Sequence, residues 1–366
     1  MARSTAALLP FVLAASLVAA QNAVSTFPAT PLVSLHFPTP SDAPYHADPG
    51  GLARGDQVGY NQCNSTTEGD SSMCQTGYVN GLGDFCLWAP QQPNSLISDT
   101  EADEVAWCTS KGHGTRVMAD GTIKGAQLLK TPDYWMITGL IDQTKVNIQS
   151  GDFGGELDPG GQDLRGNPIG GLMYSTAFNS SAYQINEWTN FMGSNQFCIK
   201  ICNPSGSNPT GLCQHTLDRI GSAYNCPSKY TVGAGMQEGE FEVCDSENMD
   251  VPGVYTENGQ TLSYSQPPES LGAITTVPYQ PRVPASSNCQ TTASAQVFTA
   301  AAASAAATAT GSAAASKSGK AGASGSRTGS ASSASSTGQT DGAVARGASR
   351  GAVGVAGVGL AMALLA

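Results

Sequence analysis

The sequence predicts a mainly β fold with short helices: one disulfide-stapled, β-sandwich-like domain, followed by a disordered Ser/Ala-rich stalk. Ten cysteines, an even number, lie between residues 63 and 289, as is typical of an exported, cross-linked domain. Short runs of β-branched and aromatic residues alternate with glycine-rich segments, which favours strands and turns over long helices. Residues 290–341 are almost entirely Ala, Ser, Thr and Gly, so they lack the apolar side chains that a core requires.

The first segment, residues 1–20, has the pattern of a secretory signal peptide. A short basic start is followed by an apolar run, residues 6–20, that is too short to span a bilayer. Small side chains before Gln21 predict cleavage there. The next segment, 21–51, is rich in proline and is expected either to pack as an extended arm or to stay loose. The domain itself is predicted over residues 52–289, which is long enough for one core.

Strands are predicted where β-branched and aromatic residues cluster. The clearest run is 134–141, and a second strand is expected at 145–148 after a turn-like Asp-Gln-Thr. Shorter strands are expected to start at Gly121 and Gly253. These runs support the β class of the fold.

Two helices are also predicted. Residues 181–192 place Tyr183, Ile185, Trp188 and Met192 close to helical spacing, and a shorter helix is expected at 212–220. The acidic run 99–104 is interpreted as a solvated helix start or turn.

The last residues resemble the signal for a glycosylphosphatidylinositol (GPI) anchor. Residues 352–366 are apolar and uncharged, a polar spacer precedes them, and the small triplet 341–343 lies upstream. This order predicts attachment at Asp341, with Gly342 as the alternative, and removal of residues 342–366 as a propeptide. The stalk before it is expected to carry O-linked sugars on its many hydroxyl groups.

The cysteines are expected to form five disulfides, because an exported chain meets an oxidising environment. Zinc binding is the alternative, but no second cysteine pair matches the Cys198-x3-Cys202 spacing. One group precedes residue 110 and the other follows residue 195, so some bridges are expected within each group. The ten residues are Cys63, Cys74, Cys86, Cys108, Cys198, Cys202, Cys213, Cys226, Cys244 and Cys289.

Two sequons, at Asn64 and Asn179, predict N-glycosylation if they lie on surface turns. The net charge of −11 would repel nucleic acid and anionic lipid headgroups, so nucleic acid is excluded as a partner. The expected membrane contact is the anchor lipid alone.

An acidic, glycine-rich segment at 151–167 carries the densest chemistry of the chain. Its carboxylates are Asp152, Glu156, Asp158 and Asp163, weak candidates for an ion site whose metal the sequence leaves open. They could bind calcium or sugar hydroxyls, or act as an acid and base in glycoside hydrolysis. The alternative is a structured loop in which Asp and Asn form turns. The common signatures of hydrolases and metalloproteases are missing from the sequence, so no enzyme and no catalytic residue are predicted.

Histidines are the candidates for haem binding. His113 is flanked by glycines that would admit a planar ligand, and Arg116 could meet a propionate. His215, near Arg219, is the second candidate. The alternative is that these histidines are satisfied structural residues.

Five separated motifs, in order along residues 55–289, resemble those of fungal macrophage-activating or cytokine-inducing glycoproteins. They are DTEADEVAWC (99–108), GHGTR (112–116), GELDPGGQDLRGN (155–167), NFMG (190–193) and QPPESLG (266–272). The resemblance implies a secreted, mannosylated and anchored protein, and some members of that family are associated with haem binding and with iron acquisition from haem.

Together these observations predict an extracellular, GPI-anchored surface mannoprotein that binds haem as a hemophore, with haem as its cofactor. One alternative is a non-catalytic glycoprotein that binds cell-wall polysaccharide or is only displayed to host immune cells. The other is a glycoside-acting enzyme that uses the carboxylates of the 151–167 segment.

Overall fold

The computed structural model describes residues 25–232 and 237–298. The predicted signal peptide, the anchor residues Asp341 and Gly342, and the stalk beyond residue 298 lie outside the described residues. Within those two ranges, no helix has the length and apolar character needed to cross a membrane.

The described residues form fifteen strands. In chain order they are β1 (Thr76–Gly81), β2 (Asp84–Ala89), β3 (Val105–Cys108), β4 (Arg116–Val117), β5 (Ile123–Lys130), β6 (Tyr134–Ile141), β7 (Gly155–Leu157), β8 (Leu172–Ser175), β9 (Tyr183–Ile185), β10 (Trp188–Gly193), β11 (Gln196–Cys202), β12 (Phe241–Ser246), β13 (Val254–Glu257), β14 (Gln260–Ser263) and β15 (Ser286–Thr292).

The helices of the described residues are all short. The α-helices are α1 (Ile97–Thr100), α2 (Pro209–Leu212), α3 (Ser222–Asn225) and α4 (Ser294–Val297). The 3-10 helices are Leu32–Ser34, Pro40–Asp42, Gln143–Val146, Asp218–Ile220 and Glu269–Leu271.

The strands form two main sheets and one hairpin, which confirms the predicted β-sandwich-like class. One sheet has the order β4-β3-β2-β1-β8-β9, the other β15-β12-β5-β6-β11-β10-β7, and β13 pairs with β14 alone. The sheets face each other across the main core. Phe85 stacks on Phe197 at 5.7 Å between ring centroids, and Trp88 lies at the same distance from Trp188. These contacts join β2 to β10 and β11.

The outer face of the seven-stranded sheet is covered as well. A second apolar cluster forms where Tyr134 and Met136 of β6 meet Leu212 and Met249 from the chain that follows β11. Because β6 and β11 are buried on both faces, their sequences are nearly continuous apolar runs rather than alternating ones. The covering layer, residues 203–232 and 247–285, carries the hairpin β13–β14.

All ten cysteines are paired, which confirms the five predicted disulfides, and every bridge stays within its sequence group. The pairs are Cys63–Cys74, Cys86–Cys108, Cys198–Cys226, Cys202–Cys213 and Cys244–Cys289. Cys198–Cys226 and Cys202–Cys213 attach the covering layer to β11, and Cys244–Cys289 joins the neighbouring strands β12 and β15.

The proline-rich arm lies against the domain. Leu32 is buried, and its amide donates to the carbonyl oxygen of Leu164 at 2.8 Å. The amide of Phe37 donates to Oε1 of Gln184 in β9 at 2.5 Å. At the other end, folded structure continues beyond residue 289 through β15 and α4, and Val297 is buried in the main core.

The predicted helix 181–192 is wrong, because this segment forms β9 and β10. All six residues of β10, which pairs with β11 and β7, are buried, and the polar Thr189 and Asn190 are among them. Both faces are therefore covered, and no alternation of apolar and polar residues distinguishes the strand from a buried helix.

The strand predicted at 145–148 is also wrong: a 3-10 helix occupies Gln143–Val146. Asp142 caps it by accepting from the Thr144 amide, and Asn147 ends it with φ 70°. The helix predicted at 212–220 is split, because α2 starts at Pro209 and ends before Cys213, and the next helical turn begins only at Asp218.

The acidic run 99–104 is solvated only in part. Glu104 is fully buried, and its Oε1 accepts from the Thr100 hydroxyl at 3.2 Å. Burial raises the pKa of this carboxyl well above its usual range.

Candidate functional site

A wide cleft lined by tyrosines opens in the covering layer. It has a volume of about 660 Å³ and lies between strand β13 and the segment 278–282. Tyr255 lies parallel to Tyr279, with 5.1 Å between ring centroids and 7° between ring planes. Tyr224 meets Tyr279 edge-on at 5.3 Å. Because all three side chains are half-buried, the cleft presents aromatic surface to solvent.

Hydrogen bonds to the backbone fix two of these rings. The Tyr279 hydroxyl accepts from the Gly253 amide at 2.8 Å, and the Tyr224 hydroxyl donates to the Tyr279 carbonyl at 3.3 Å. Gly253 has φ 81°, and a Cβ there would lie 2.7 Å from Cδ1 of Leu217, so a glycine is required. Burial raises the pKa of Tyr279, so its hydroxyl stays protonated through neutral pH.

Charged groups at the cleft are mostly paired. Arg282 donates from Nε to Oδ2 of Asp250 at 2.9 Å and from Nη1 to Oε1 of Glu247. The hydrogen bond with Asp250 is the main cause of the raised pKa of Arg282, and the hydrogen bond with Glu247 adds to it. Glu257 lies exposed at the rim. Aromatic faces beside paired polar groups suit a ligand with apolar faces and many hydroxyl groups, such as a sugar chain.

No sequence pattern singles out this cleft. Its tyrosines are far apart in sequence, and only the fold of the covering layer brings residue 224 to residues 255 and 279. The sequence offers one local hint of an exposed aromatic residue: Tyr279 lies between Pro278 and Pro281, in a segment with no strand pattern.

His113 and Arg116, the haem candidates of the GHGTR motif, have protein partners. Nε2 of His113 lies 2.6 Å from Oδ1 of Asp84, and its ring stacks on Tyr78 at 4.1 Å. Burial of Asp84 opposes its ionisation, but hydrogen bonds from His113 and Asn80 outweigh it and lower the Asp84 pKa.

Arg116 is buried, with Nε donating to the Ser72 carbonyl at 2.9 Å and Nη1 to the Gln91 carbonyl at 2.8 Å. Its guanidinium also lies 5.1 Å from the centre of the Trp107 ring. These contacts occupy the group that was expected to meet a haem propionate.

His215 lies next to the acidic segment rather than next to His113. Its Nδ1 is 3.3 Å from Oδ1 of Asp158, which also accepts from the amides of Gly160 and Gly161 at 2.7 and 2.8 Å. Burial is the main influence on the Asp158 carboxyl and raises its pKa despite the nearby imidazole. The two histidines therefore have separate carboxylate partners.

Glu156 lies beside Asp158 and is buried on β7. Its Oε1 accepts from the Thr189 hydroxyl at 2.5 Å, whereas its Oε2 has no partner among the described residues. Burial, followed by repulsion from Asp158, raises its pKa well above the usual range. Burial also lowers the pKa of Lys200, on β11, to about 7.

The other two acidic candidates have structural partners: one accepts from a backbone amide, and the other lies near two arginines. Asp152 accepts from the Ile97 amide at 2.9 Å and caps the start of α1. Asp163 lies 3.4 Å from both Arg54 and Arg165, and Arg165 also pairs with Asp48 at 2.6 Å. The four carboxylates therefore do not converge, and among the described residues no three of them come close enough to share one ion.

Glu101 has an unusual pKa that its local sequence does not predict. Burial, followed by repulsion from Asp158, raises its pKa to about 7. Its Oε2 accepts from Nδ2 of Asn167 at 3.0 Å. In the described part of the chain, the one grouping with metal-ligand spacing is Glu242 with Cys244 and Cys289, and those sulfurs form a disulfide rather than thiolates.

Both sequon asparagines, Asn64 and Asn179, are exposed. Oδ1 of Asn64 accepts from the Thr66 amide and hydroxyl at 2.9 and 2.6 Å, an Asx-type turn. The positions suit glycosylation, which stays a prediction.

The chain is similar to two proteins of the fungus Mycosarcoma maydis. It is 41% identical over 208 residues to appressorium protein ROW2, a match that covers 56% of this chain and 69% of ROW2. It is 40% identical over 241 residues to appressorium protein ROW1, which covers 65% of this chain and 52% of ROW1. The chain thus spans about half the length of ROW1. No family model and no solved structure matches it.

Proposed function

We propose that this chain, which belongs to the family of the appressorium proteins ROW1 and ROW2, is an exported fungal surface protein whose domain binds wall polysaccharide without catalysis. Its relatives are fungal proteins, and its five disulfides are compatible with an extracellular or cell-surface location. The proposal includes the GPI lipid at Asp341, mannosylation, and sugars on Asn64 and Asn179.

The observation that carries polysaccharide binding is the tyrosine-lined cleft. It combines a stacked tyrosine pair, an edge-on tyrosine and a paired arginine in a volume of about 660 Å³. That volume is within the range of about 300–1,000 Å³ typical of ligand pockets. Sugar rings can place their apolar faces on tyrosines, while their hydroxyl groups bond to Arg282 and the carboxylates.

A sedimentation assay tests this function. Full chain purified from a fungal host should sediment with insoluble β-glucan or chitin, and Tyr255→Ala should weaken this binding about tenfold, because it removes one stacking face. Tyr45→Ala is the matched control, since Tyr45 is 54% exposed and does not line the cleft. Failure of the unaltered chain to sediment with either polymer, or equal binding by both variants, would refute the proposal.

Haem capture, the function implied by the resemblance to cytokine-inducing glycoproteins, stays a prediction with less support. His113 and His215 have different carboxylate partners, and Arg116 is buried against backbone carbonyls. None of these residues lines the tyrosine cleft. The resemblance to that glycoprotein family is likewise still a prediction.

A further inference from the structure

We propose that the tyrosine-lined cleft is one end of a longer groove that reaches Phe153, and that the ligand is therefore a neutral linear polysaccharide bound along its chain rather than at a terminal sugar. This inference rests on the proposed function and adds the form and charge of the ligand.

A second cleft, of about 410 Å³, adjoins the tyrosine-lined cleft. It is lined by residues 274–277 together with Arg219 and Ile220, and it shares Tyr224 and Gln280 with the tyrosine-lined cleft. Because two wall residues are common to both clefts, a ligand that passes Tyr224 can occupy them together.

A third cleft, of about 350 Å³, shares Arg219 with the second. Its walls include Phe153, Gly155 and Phe191. The three volumes together exceed the upper end of the range for small-ligand pockets, about 1,000 Å³. A groove of this size fits several sugar units in a row.

Phe153 is the most exposed large apolar side chain of the described residues, at 91%. Its loop is nevertheless held in place. Asp152 accepts from the Ile97 amide at 2.9 Å and from the Gly154 amide at 3.2 Å, and its carbonyl accepts from the Ser194 amide at 2.8 Å. The exposed ring of Phe153 is therefore held beside the cleft by a fixed backbone. It gives the proposed groove a second aromatic surface, at the end opposite Tyr255.

The charges along this groove nearly balance. Arg282 is paired with Asp250, whereas Arg219 donates to the carbonyls of Pro267 and Gly272. Asp218 also lines the groove. Glu257 adds one exposed carboxylate. The described lining of the three clefts thus carries one more carboxylate than guanidinium groups, and an anionic polymer would also be repelled by a chain of net charge −11. The groove therefore suits a neutral chain.

The test is calorimetric titration of the full chain with soluble laminari-oligosaccharides and chitin oligosaccharides of increasing length. Affinity should rise with length until the groove is filled. Phe153→Ala should weaken binding of the longest oligosaccharide about tenfold and leave binding of the shortest unaffected. Tyr255→Ala should weaken binding of both. Phe27→Ala is the matched control, because Phe27 is exposed and lies outside all three clefts.

The outcomes separate the two claims. If no oligosaccharide binds, the proposed function fails. If binding occurs at Tyr255 but is independent of length and of Phe153, the long groove is refuted while the tyrosine cleft stands. Binding of polygalacturonate as tight as that of the neutral oligosaccharides would refute the neutral ligand.

Discussion

His113 shows how a residue that looks like a ligand in sequence can be structural. The glycines beside it suggested access for a planar ligand, but the fold places its imidazole between Asp84 and the ring of Tyr78. Neither partner is near His113 in sequence, so no local sequence pattern predicts these contacts. The interpretation as a satisfied histidine, weighed against the haem hypothesis, is the one that the geometry favours.

We expect His113→Ala to lower the free energy of unfolding by about 1–2 kcal/mol, because it removes a ring stack and a hydrogen bond to a carboxylate. Denaturant unfolding measures this, and His36→Ala is the control because His36 is exposed. In a haem titration the same variant should leave the Soret band unchanged relative to the unaltered chain. Equal stability of the two variants, with a haem shift lost only in His113→Ala, would support the haem hypothesis instead.

The partners of single carboxylates are equally hard to predict from local sequence. The 151–167 segment is chemically dense in sequence, yet Asp152 and Asp163 have separate structural partners and only Glu156 and Asp158 are neighbours. Glu101 joins them from a different part of the chain. Burial and long-range contacts decide the pKa of a carboxyl, and neither is visible in a local sequence pattern.

At the scale of elements, the strand at 134–141 was predicted with its observed bounds, whereas 181–192 was predicted as the wrong type. The first is a long apolar run that ends in clear turns. The second contains a strand that is buried on both faces. Its apolar residues happen to lie close to helical spacing, so the sequence pattern favoured a helix. Tertiary contacts, absent from local propensity, decided the outcome.

The Cys198–Cys226 bridge is expected to hold the groove in shape, because Cys226 follows Tyr224 by two residues and joins α3 to β11. Replacing both cysteines by serine should cost about 2–4 kcal/mol of stability and also weaken polysaccharide binding. Denaturant unfolding and calorimetric titration measure the two effects.

The matched control is the Cys63–Cys74 pair, whose bridge lies outside the covering layer. Its removal should cost a similar amount of stability and leave affinity unchanged in the folded fraction. Loss of binding in both double variants, or in neither, would contradict a specific role for Cys198–Cys226.

For the whole molecule, composition and cysteine count were sufficient to predict the β class and the five disulfides. The covering layer was not predictable, because its elements are short and owe their positions to bridges whose pairing cannot be deduced from spacing. The tyrosine-lined cleft is built from that layer, and for that reason the candidate site was missed although the fold class was right.

Buried carboxyls make the stability of the whole domain depend on pH. Glu101 has a folded pKa of about 7 against an ordinary value of 4.5, so the folded state binds its proton more tightly than the unfolded state. This contribution is fully present below pH 4.5 and is lost as the pH rises to about 7. Glu104 and Glu156 act in the same direction.

Lys200 does not mask this effect. Its folded pKa of about 7 lies below the ordinary 10.5, so its stabilising contribution is lost as the pH falls from 10.5 to about 7 and is constant below that. Melting temperatures should therefore decrease between pH 4.5 and about 7, with a smaller decrease in Glu101→Gln. A domain that becomes more stable over this interval would show that these carboxyls are ionised in the folded state.

The most direct test of the central claim is a crystal structure of the domain with a bound neutral oligosaccharide. We predict sugar rings against Tyr255 and Tyr224, with hydroxyl groups near Arg282, and a chain that continues past Arg219 towards Phe153. Sugar bound elsewhere on the domain, with the tyrosine-lined cleft empty, would contradict this account.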